Sequence, residues 1–520
     1  MDLKSRLRAI VKPQGATEGG VSPRSLGADG PRPVRELTYE PDIGAYEAGP
    51  TIDRVGEILG GRATRNDFGQ CLVIDRRYES DRWHGDVRIS ECALEDMTSL
   101  GILDPSLAMN DQIGPHSSVL AGPHPRSLSR DDGASRSGRG RRTIFIDLET
   151  TGLSGGAGTV AFLVGCGYYD LGAFQVRQFL LTSYSAERAL LTAVAEFFDD
   201  AELIVSYNGK TFDLPVMETR WLFHRMAMPL DGVPHFDTLH TARRLWKTRS
   251  EDATEGGCRL STLERTLFDV RRVGDVPGFE IPARFFQFMR SGDPRPLEPV
   301  LEHNRLDLVS LAAVTARAVR LVEAGADGCP DGPQALAVGR IYERAGLVER
   351  AAACYRRASE CDVLEVKGEA LYRLGLRSRR ERKFGEAAAI WREVVALTET
   401  RSARRNATLV ALRQFAVEAL AIHHEHRDRD LKTARELALF ALNERRGEGR
   451  DDRRAEGYRK RIARLERKLL ESDARKLLES DAGMLLESDA RKLLESGVRK
   501  VQEGGARKPP EKQNAQLLWS

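Results

Sequence analysis

No run of about 18 consecutive apolar residues occurs in the 520 residues, so no transmembrane helix is expected. The opening stretch, MDLKSRLRAIVKPQG, carries charges but no apolar core segment, which argues against a secretory signal. Cysteine is scarce. The seven residues at positions 71, 92, 166, 258, 329, 354 and 361 are scattered and contain no Cys-x-x-Cys pair. Neither a disulfide framework nor a zinc ribbon is expected, and a reducing cytoplasm is the expected compartment. A strong excess of one charge is missing too, with 80 Lys and Arg against 77 Asp and Glu for a net +3. The balance conceals an asymmetry: residues 335–520 hold 41 basic against 30 acidic residues, leaving 39 against 47 for residues 1–334. The basic back half permits a nucleic-acid or acidic partner without requiring one.

What is present divides into segments. At this length, with 41% hydrophobic and 30% charged residues, two or three globular domains with solvated stretches are expected. Residues 1–35 are rich in Gly, Pro, Ser and Arg without a period and are expected to be disordered. Residues 36–120 read as a small mixed, β-rich region of unassigned role, with QCLVIDRRY (70–78) alternating like a strand and GDVRISECAL resembling another. Residues 121–142, AGPHPRSLSRDDGASRSGRGRR, form a linker. In 143–325, the runs TIFIDLE, VAFLVGCGYYD and FQVRQFLL read as strands. AERALLTAVAEFFDD reads as a helix, LIVSYN as a buried strand, and helices follow from about Leu214 to the final LEHNRLDLVSLAAVTARAVRLVEA. This predicts an α/β layer fold with a mixed sheet flanked by helices. Residues 333–446 turn all-α and repetitive, with Ala352 and Ala388 in equivalent places 36 residues apart, close to the period of tetratricopeptide repeats. Residues 447–520 form a charged tail holding the octapeptides LLESDARK, LLESDAGM, LLESDARK and LLESGVRK over 469–500. An eight-residue step advances about 80° past whole helical turns, so no fixed seam results and a solvated appendage is expected.

The chemistry concentrates in three stretches. Asp147 and Glu149 end TIFIDLE and, two residues apart, project from the same side of a strand. In YNGKTFDLP, Asp213 stands where a strand runs into a turn and a helix begins; taken alone it is equally a helix N-cap beside an Asn-Gly turn. In EHNRLDLVSL, His303 and Asp307 share a helix face at i, i+4, an arrangement also met as a surface hydrogen bond. Together, four carboxylates arriving from a strand, a strand-to-helix turn and a final helix can converge at one sheet edge. Hard divalent cations such as Mg²⁺ or Mn²⁺ take oxygen ligands of this kind. Two ions held there could act on a phosphodiester, with His303 placed to activate water.

These stretches resemble the motifs of the DnaQ-like (DEDD) 3′–5′ exonucleases of the RNase H-like superfamily. Among them the chain is most similar to the YprB-type RNase H-like domain proteins, often fused to tetratricopeptide repeats. FIDLETTGL matches the first motif, implying that Asp147 and Glu149 are metal ligands. YNGKTFDLP matches the second, implying a ligand role for Asp213 and a supporting, substrate-binding role for Asn208. HNRLD matches the third, implying that Asp307 is the last ligand and His303 occupies the water-activating position. The third motif departs from the usual Tyr-x-x-x-Asp or His-x-x-x-x-Asp: a histidine stands at the tyrosine's spacing, about 100° of helix from its usual place. The resemblance implies a hydrolase acting with two Mg²⁺ or Mn²⁺ ions on a single-stranded DNA or RNA end, in a chain whose helical repeats offer a surface for a protein partner, with no membrane role.

Weaker candidates complete the inventory. TTGLSGGAGT (150–159), with Thr150 at its head, is read either as a turn whose backbone approaches a substrate end or as a plain turn. Asp237 is read as a helix-start residue or a supporting acid, and Arg243, Arg244, Lys247 and Arg249 as phosphate contacts or a solvated face. Glu264 reads as the glutamate of a capping box begun by Ser261. Trp246, Phe285 and Phe286 are read as core residues before base-stacking ones. Two rival functions stand beside the exonuclease: an interaction or nucleic-acid-binding scaffold with the fold retained but little or no catalysis, and a structure-specific endonuclease.

Overall fold

The structure, a computed structural model, describes residues 51–94, 98–108, 142–152, 158–247, 258–399, 403–445, 453–479 and residue 494. The expected disordered start (1–35), the centre of the Gly-rich turn (153–157), Arg249 and nearly all of the 121–142 linker lie outside the described residues. So do the octapeptides beyond 479 except that single position.

A mixed seven-stranded sheet forms the first half, in the order β1-β2-β7-β6-β5-β8-β9, with β9 (His235–Asp237) the edge strand beside β8. Its centre is β5 (Arg142–Thr150), which pairs antiparallel with β6 (Ala161–Asp170) and parallel with β8 (Ala201–Ser206). The strand runs expected within 143–325 form strands, because their alternation places apolar side chains against helices on both faces. Ile144, Ile146 and Leu148 face one layer, packed with α3 (Glu187–Phe197), α4 (Asp213–Phe223) and α7 (Ile281–Ser291) through residues such as Val194, Trp221 and Phe285. Phe145 faces the opposite layer, under α8 (Glu298–Ala324). Asp147 and Glu149 share the parity of Phe145, so β5 carries its carboxylates toward α8.

The region preceding the linker contributes to this same sheet. After α1 (Ile52–Leu59), the hairpin of β1 (Arg62–Asn66) and β2 (Gly69–Tyr78) pairs with β7 (Ala173–Leu180) and extends the edge. The expected strand in GDVRISECAL is corrected: only a hairpin of two-residue strands forms, β3 (Trp83–His84) with β4 (Val87–Arg88), Ile89–Cys92 turns as a 3₁₀ segment, and α2 (Thr98–Leu103) follows. Val87, Ile89 and Cys92 all point inward, a spacing an extended strand cannot sustain.

The back half is helical. It comprises α9 (Gly332–Arg344), α10 (Val348–Ser359), α11 (Leu364–Arg380), α12 (Phe384–Leu397), α13 (Ala407–His423), α14 (Leu431–Arg445) and α15 (Arg453–Glu479). Successive helices pack as hairpins around Ala352 and Ala388, both fully buried. A glycine in each first helix lies under an aromatic of the second: Gly339 under Tyr355, and Gly375 under Trp391, where a Cβ would come within 2.6 Å and 2.3 Å. Both members recur at the 36-residue step. The expected solvated tail starts differently, since Tyr458, Ile462 and Leu465 of α15 are buried against the preceding helices. Their i, i+4, i+7 spacing makes an apolar stripe just ahead of the octapeptides.

No bare linker separates the halves. Val319 and Val322 near the end of α8 share a core with Leu336, Val338 and Ile341 of α9. Arg350 donates to the terminal carbonyls of α8, at Val322 (3.0 Å) and Glu323 (2.8 Å), where a cation also complements the helix dipole. Among the described residues no helix is long and apolar enough to cross a membrane.

Candidate active site

Asp147 is fixed by an amide relay. Asn304 of α8 donates from Nδ2 to Asp147 Oδ2 (2.8 Å) and to the Asp147 carbonyl (3.1 Å). Its own Oδ1 accepts from Gln178 Nε2 on β7 (2.7 Å), which also reaches the Leu301 carbonyl (2.9 Å). Both amides are fully buried. The helix can come this close to the sheet because residue 165, opposite Asp147 on β6, is glycine: a Cβ there would stand 2.2 Å from Asn304 Oδ1. Glu149 follows at a break in the β5–β6 register, and the Thr150 hydroxyl donates to the Gly152 carbonyl (2.9 Å), closing the turn on itself.

Asp213 opens α4 at the end of a tight loop. Asn208 there adopts a left-handed φ of 67°, a conformation asparagine tolerates, and its carbonyl accepts from Thr211 and Phe212. Asp237 beneath it is almost fully buried. It accepts from the backbone N–H groups of Asn208 (2.8 Å), Lys210 (3.2 Å) and Leu239 (3.1 Å), so it both caps α5 (Thr238–Leu245) and braces the loop. Gly209 lies close against Asp213, where a Cβ would stand 3.0 Å from Oδ2. Phe212 is half exposed beside it.

The third stretch lies on α8. His303 Nδ1 is 2.7 Å from Asp275 Oδ1, and Nε2 is 3.6 Å from Asp307 Oδ2. Arg272 donates to Asp307, to Asp275 (3.2 Å) and, in a two-pronged pair, to Glu264 (2.8 and 2.9 Å). The capping-box reading of Glu264 is corrected here. α6 (Leu260–Phe268) starts after Arg259 with no side-chain cap, and Glu264 is buried facing Arg272 while accepting from the Ser310 hydroxyl (2.5 Å). Ser310 in turn meets His84 Nε2 (2.9 Å), a buried ring whose desolvation pushes it down to about 4. The region before the linker thus reaches the network behind the site.

The electrostatics join the three stretches. Burial, then the charges of Asp307, Glu149 and Asp213, hold the Asp147 carboxyl well above the usual carboxylate range, with the Asn304 hydrogen bond opposing. Glu149 is raised by burial and by Asp307, Asp213 and Asp275. Asp213 is pushed up to about 7 by burial, with Asp237 adding to the rise and backbone N–H groups, including that of Leu148, opposing it. Arg272 goes the other way: burial disfavours its charge, but Asp307 and Glu264 outweigh it and hold the guanidinium protonated.

The expected residues Asp147, Glu149, Asp213 and Asp307 therefore share one field, with His303 beside the last. Thr150 and Asn208 lie on the flanking turns. Among the weaker candidates, Phe285 is buried and stacked on Phe162 (4.2 Å between centroids), whereas Phe286 and Trp246 are partly buried against the core. Arg244 donates to the Leu103 carbonyl (2.9 Å), leaving Arg243 and Lys247 exposed. Asn304, Gln178, Arg272 and Asp275 escaped the motif reading. Two of them carry a signal: Asn304 lies on the same helix face as Leu301 and Leu308, and Gln178 sits between Val176 and Leu180, polar residues at positions the periodicity assigns to the core.

The fit to a divalent cation rests on donor chemistry. Oxygen donors crowded so that their charges oppose one another suit a hard cation, whose charge would relieve the repulsion. Among the described residues no ready-made cage of three or more His, Cys, Asp or Glu side chains is formed, and a guanidinium meets Asp307.

The fold and these motifs place the chain in a recognised class: residues 144–319 match the family model of the RNase_H superfamily. The chain is also 30% identical over 302 residues, 58% of its own length and 69% of the relative's, to "Uncharacterized protein YprB" of Bacillus subtilis (strain 168). The chain belongs to the YprB family of RNase H-like proteins. An RNase H-like domain points to nuclease chemistry on nucleic acid with divalent metal ions.

Proposed function

We propose that the protein is a metal-dependent 3′–5′ exonuclease in which Asp147, Glu149, Asp213 and Asp307 hold two Mg²⁺ or Mn²⁺ ions. The observation carrying this reading is the mutual repulsion of carboxylates from three separate elements, at the positions where the resemblance expects metal ligands. Ions bound there supply Lewis acidity to the scissile phosphate and its leaving oxygen. The chain's own part is positional. Asn304 orients Asp147, the Asn208–Asp213 loop presents the third acid, and His303 takes the proton of the attacking water. Thr150 and Asn208 flank the path of a single-stranded end, and the helical repeats offer a protein partner or the substrate a second surface.

Incubating the protein with 3′- and 5′-end-labelled single-stranded DNA and RNA, with Mn²⁺, Mg²⁺ or EDTA, tests this reading beside Asp213→Asn. Metal-dependent shortening from the 3′ end, absent in the variant, is the expected outcome and also reports the sugar preference. Cleavage of circular substrates would make it an endonuclease. Binding without turnover would make it a scaffold.

A further inference from the structure

The third motif carries its histidine one residue from the usual place, yet the ring lies within 3.6 Å of Asp307. The i, i+4 spacing brings the two together, and a carboxylate that belongs to no motif meets the other side of the ring. Asp275 comes from the loop between α6 and α7, 28 positions before His303, and meets Nδ1 at 2.7 Å. An aspartate ionised at neutral pH only accepts hydrogen bonds, so Nδ1 must be the donor. Nε2 is the nitrogen on the Asp307 side.

The carboxylate itself is immobilised. Asp275 Oδ1 also accepts from the Val276 N–H (2.9 Å), and Oδ2 lies 3.2 Å from Arg272 Nη1. Val276 is almost fully buried in the core under the sheet, and Arg272 is locked by Glu264. The loop is thus pinned at two consecutive anchors, with Asp275 between them and His303. A solvated surface pair would have neither anchor.

We infer that Asp275 is a positioning residue for His303, fixing its ring with Nδ1 protonated and Nε2 turned toward the carboxylate cluster. The catalytic consequence rests on the nuclease reading above; the ring orientation does not. By holding the ring at Nδ1, Asp275 keeps Nε2 aimed at the place where water would be activated.

The test uses the full chain with D275A, D275N, H303Q and the double variant H303Q/D275A. Long-range proton–nitrogen NMR of the imidazoles, with the His303 signals identified by their loss in H303Q, should show a protonated Nδ1 in the parent protein and a shift toward protonated Nε2 in D275A. A parent ring without a proton on Nδ1, or a spectrum unmoved by D275A, overturns the inference. In cleavage assays D275A should lower kcat by about 10- to 100-fold with KM within a factor of two, and should cost nothing further in the H303Q background. Additive losses would mean a general structural role and overturn it. Mn²⁺ affinity by calorimetry should change far less in D275A than in Asp213→Asn; a loss matching that of Asp213→Asn would make Asp275 a ligand instead and overturn the inference. If D275A fails to fold by circular dichroism, D275N, which keeps the volume without the charge, is held to the same criteria. Should the parent protein cleave nothing, the nuclease reading fails by itself, while the ring spectra still decide the role of Asp275.

Discussion

Glu425 is buried and Asp147 partly so, yet the molecule treats the two acids in opposite ways. Glu425, in the π-helical turn His424–Asp428 after α13, accepts from Arg464 (2.8 and 3.0 Å), Arg461 (3.0 Å) and Lys468 (3.4 Å), all on α15. Burial works against its charge, but Arg464, His426 and Arg461 outweigh it and hold the carboxyl below the usual range. Asp147 has an amide for a partner and three other acids for neighbours, and its carboxyl is held far above that range. A buried acid surrounded by cations is cement between helices. One surrounded by acids stores repulsion that only a further positive charge can relieve, and such an arrangement marks a working site.

The comparison breaks most visibly if the acids are neutralised one at a time. Asp213→Asn should reduce metal-dependent cleavage by at least about 10³-fold while circular dichroism stays unchanged, since several kcal/mol of charge stabilisation pass through each ligand. Asp213 follows Phe212, which occupies the N-cap position without a side-chain cap, so retained activity would leave it a first-turn acid of α4 with no metal role. Glu425→Ala should do the reverse, costing about 2–3 kcal/mol in urea unfolding because three cations lose their partner. Its cleavage rate well below the melting temperature should match the parent's.

Gly165→Ala sharpens the contrast from beneath. The new methyl must displace Asn304 from Asp147, and Mn²⁺ affinity by calorimetry should fall about 10- to 100-fold with the acids intact. The smallest effect expected is on stability in EDTA as pH changes. Asp213 titrates at about 7 in the fold and near ~3.9 in the unfolded chain. Between these values the folded state binds a proton that the unfolded state releases. Stability is therefore full below about pH 4, falls as pH rises toward 7, and levels off above. Asp213→Asn escapes this cost and should be about 1–2 kcal/mol more stable than the parent at pH 8, with the gap closing toward pH 4. Glu425 has the opposite sign, its contribution being present above the unfolded glutamate value and lost on acidification.

Much of this was legible in the residues. TIFIDLE, YNGKTFDLP and HNRLD announce the strand, turn and helix that carry the acids, because each couples a hydrophobic period to carboxylates at its end. The 36-residue step announces the helical hairpins, whose Gly339–Tyr355 and Gly375–Trp391 contacts repeat it. What stayed hidden depends on distance along the chain. RRVGD reads as a charged loop, and no period reveals that Arg272 and Asp275 fold back onto α8. Nor could local pattern show that β2 would find β7, whose partner positions lie about a hundred residues away. The misreading of Glu264 has the same root, since a glutamate three residues after a serine fits a cap equally well until tertiary burial decides.

The shared core at the end of α8 bears on how the protein can be divided. At 27 residues this helix is about 40 Å long, presenting His303, Asn304 and Asp307 to the sheet near its start and Val319 and Val322 to α9 near its end. A gene shortened at residue 330, where composition alone would place the cut, would encode a nuclease half with an uncovered aliphatic stripe and no Arg350 to cap the helix's last carbonyls. Such a fragment should sediment as aggregates on overexpression, and a cut after α10 should not.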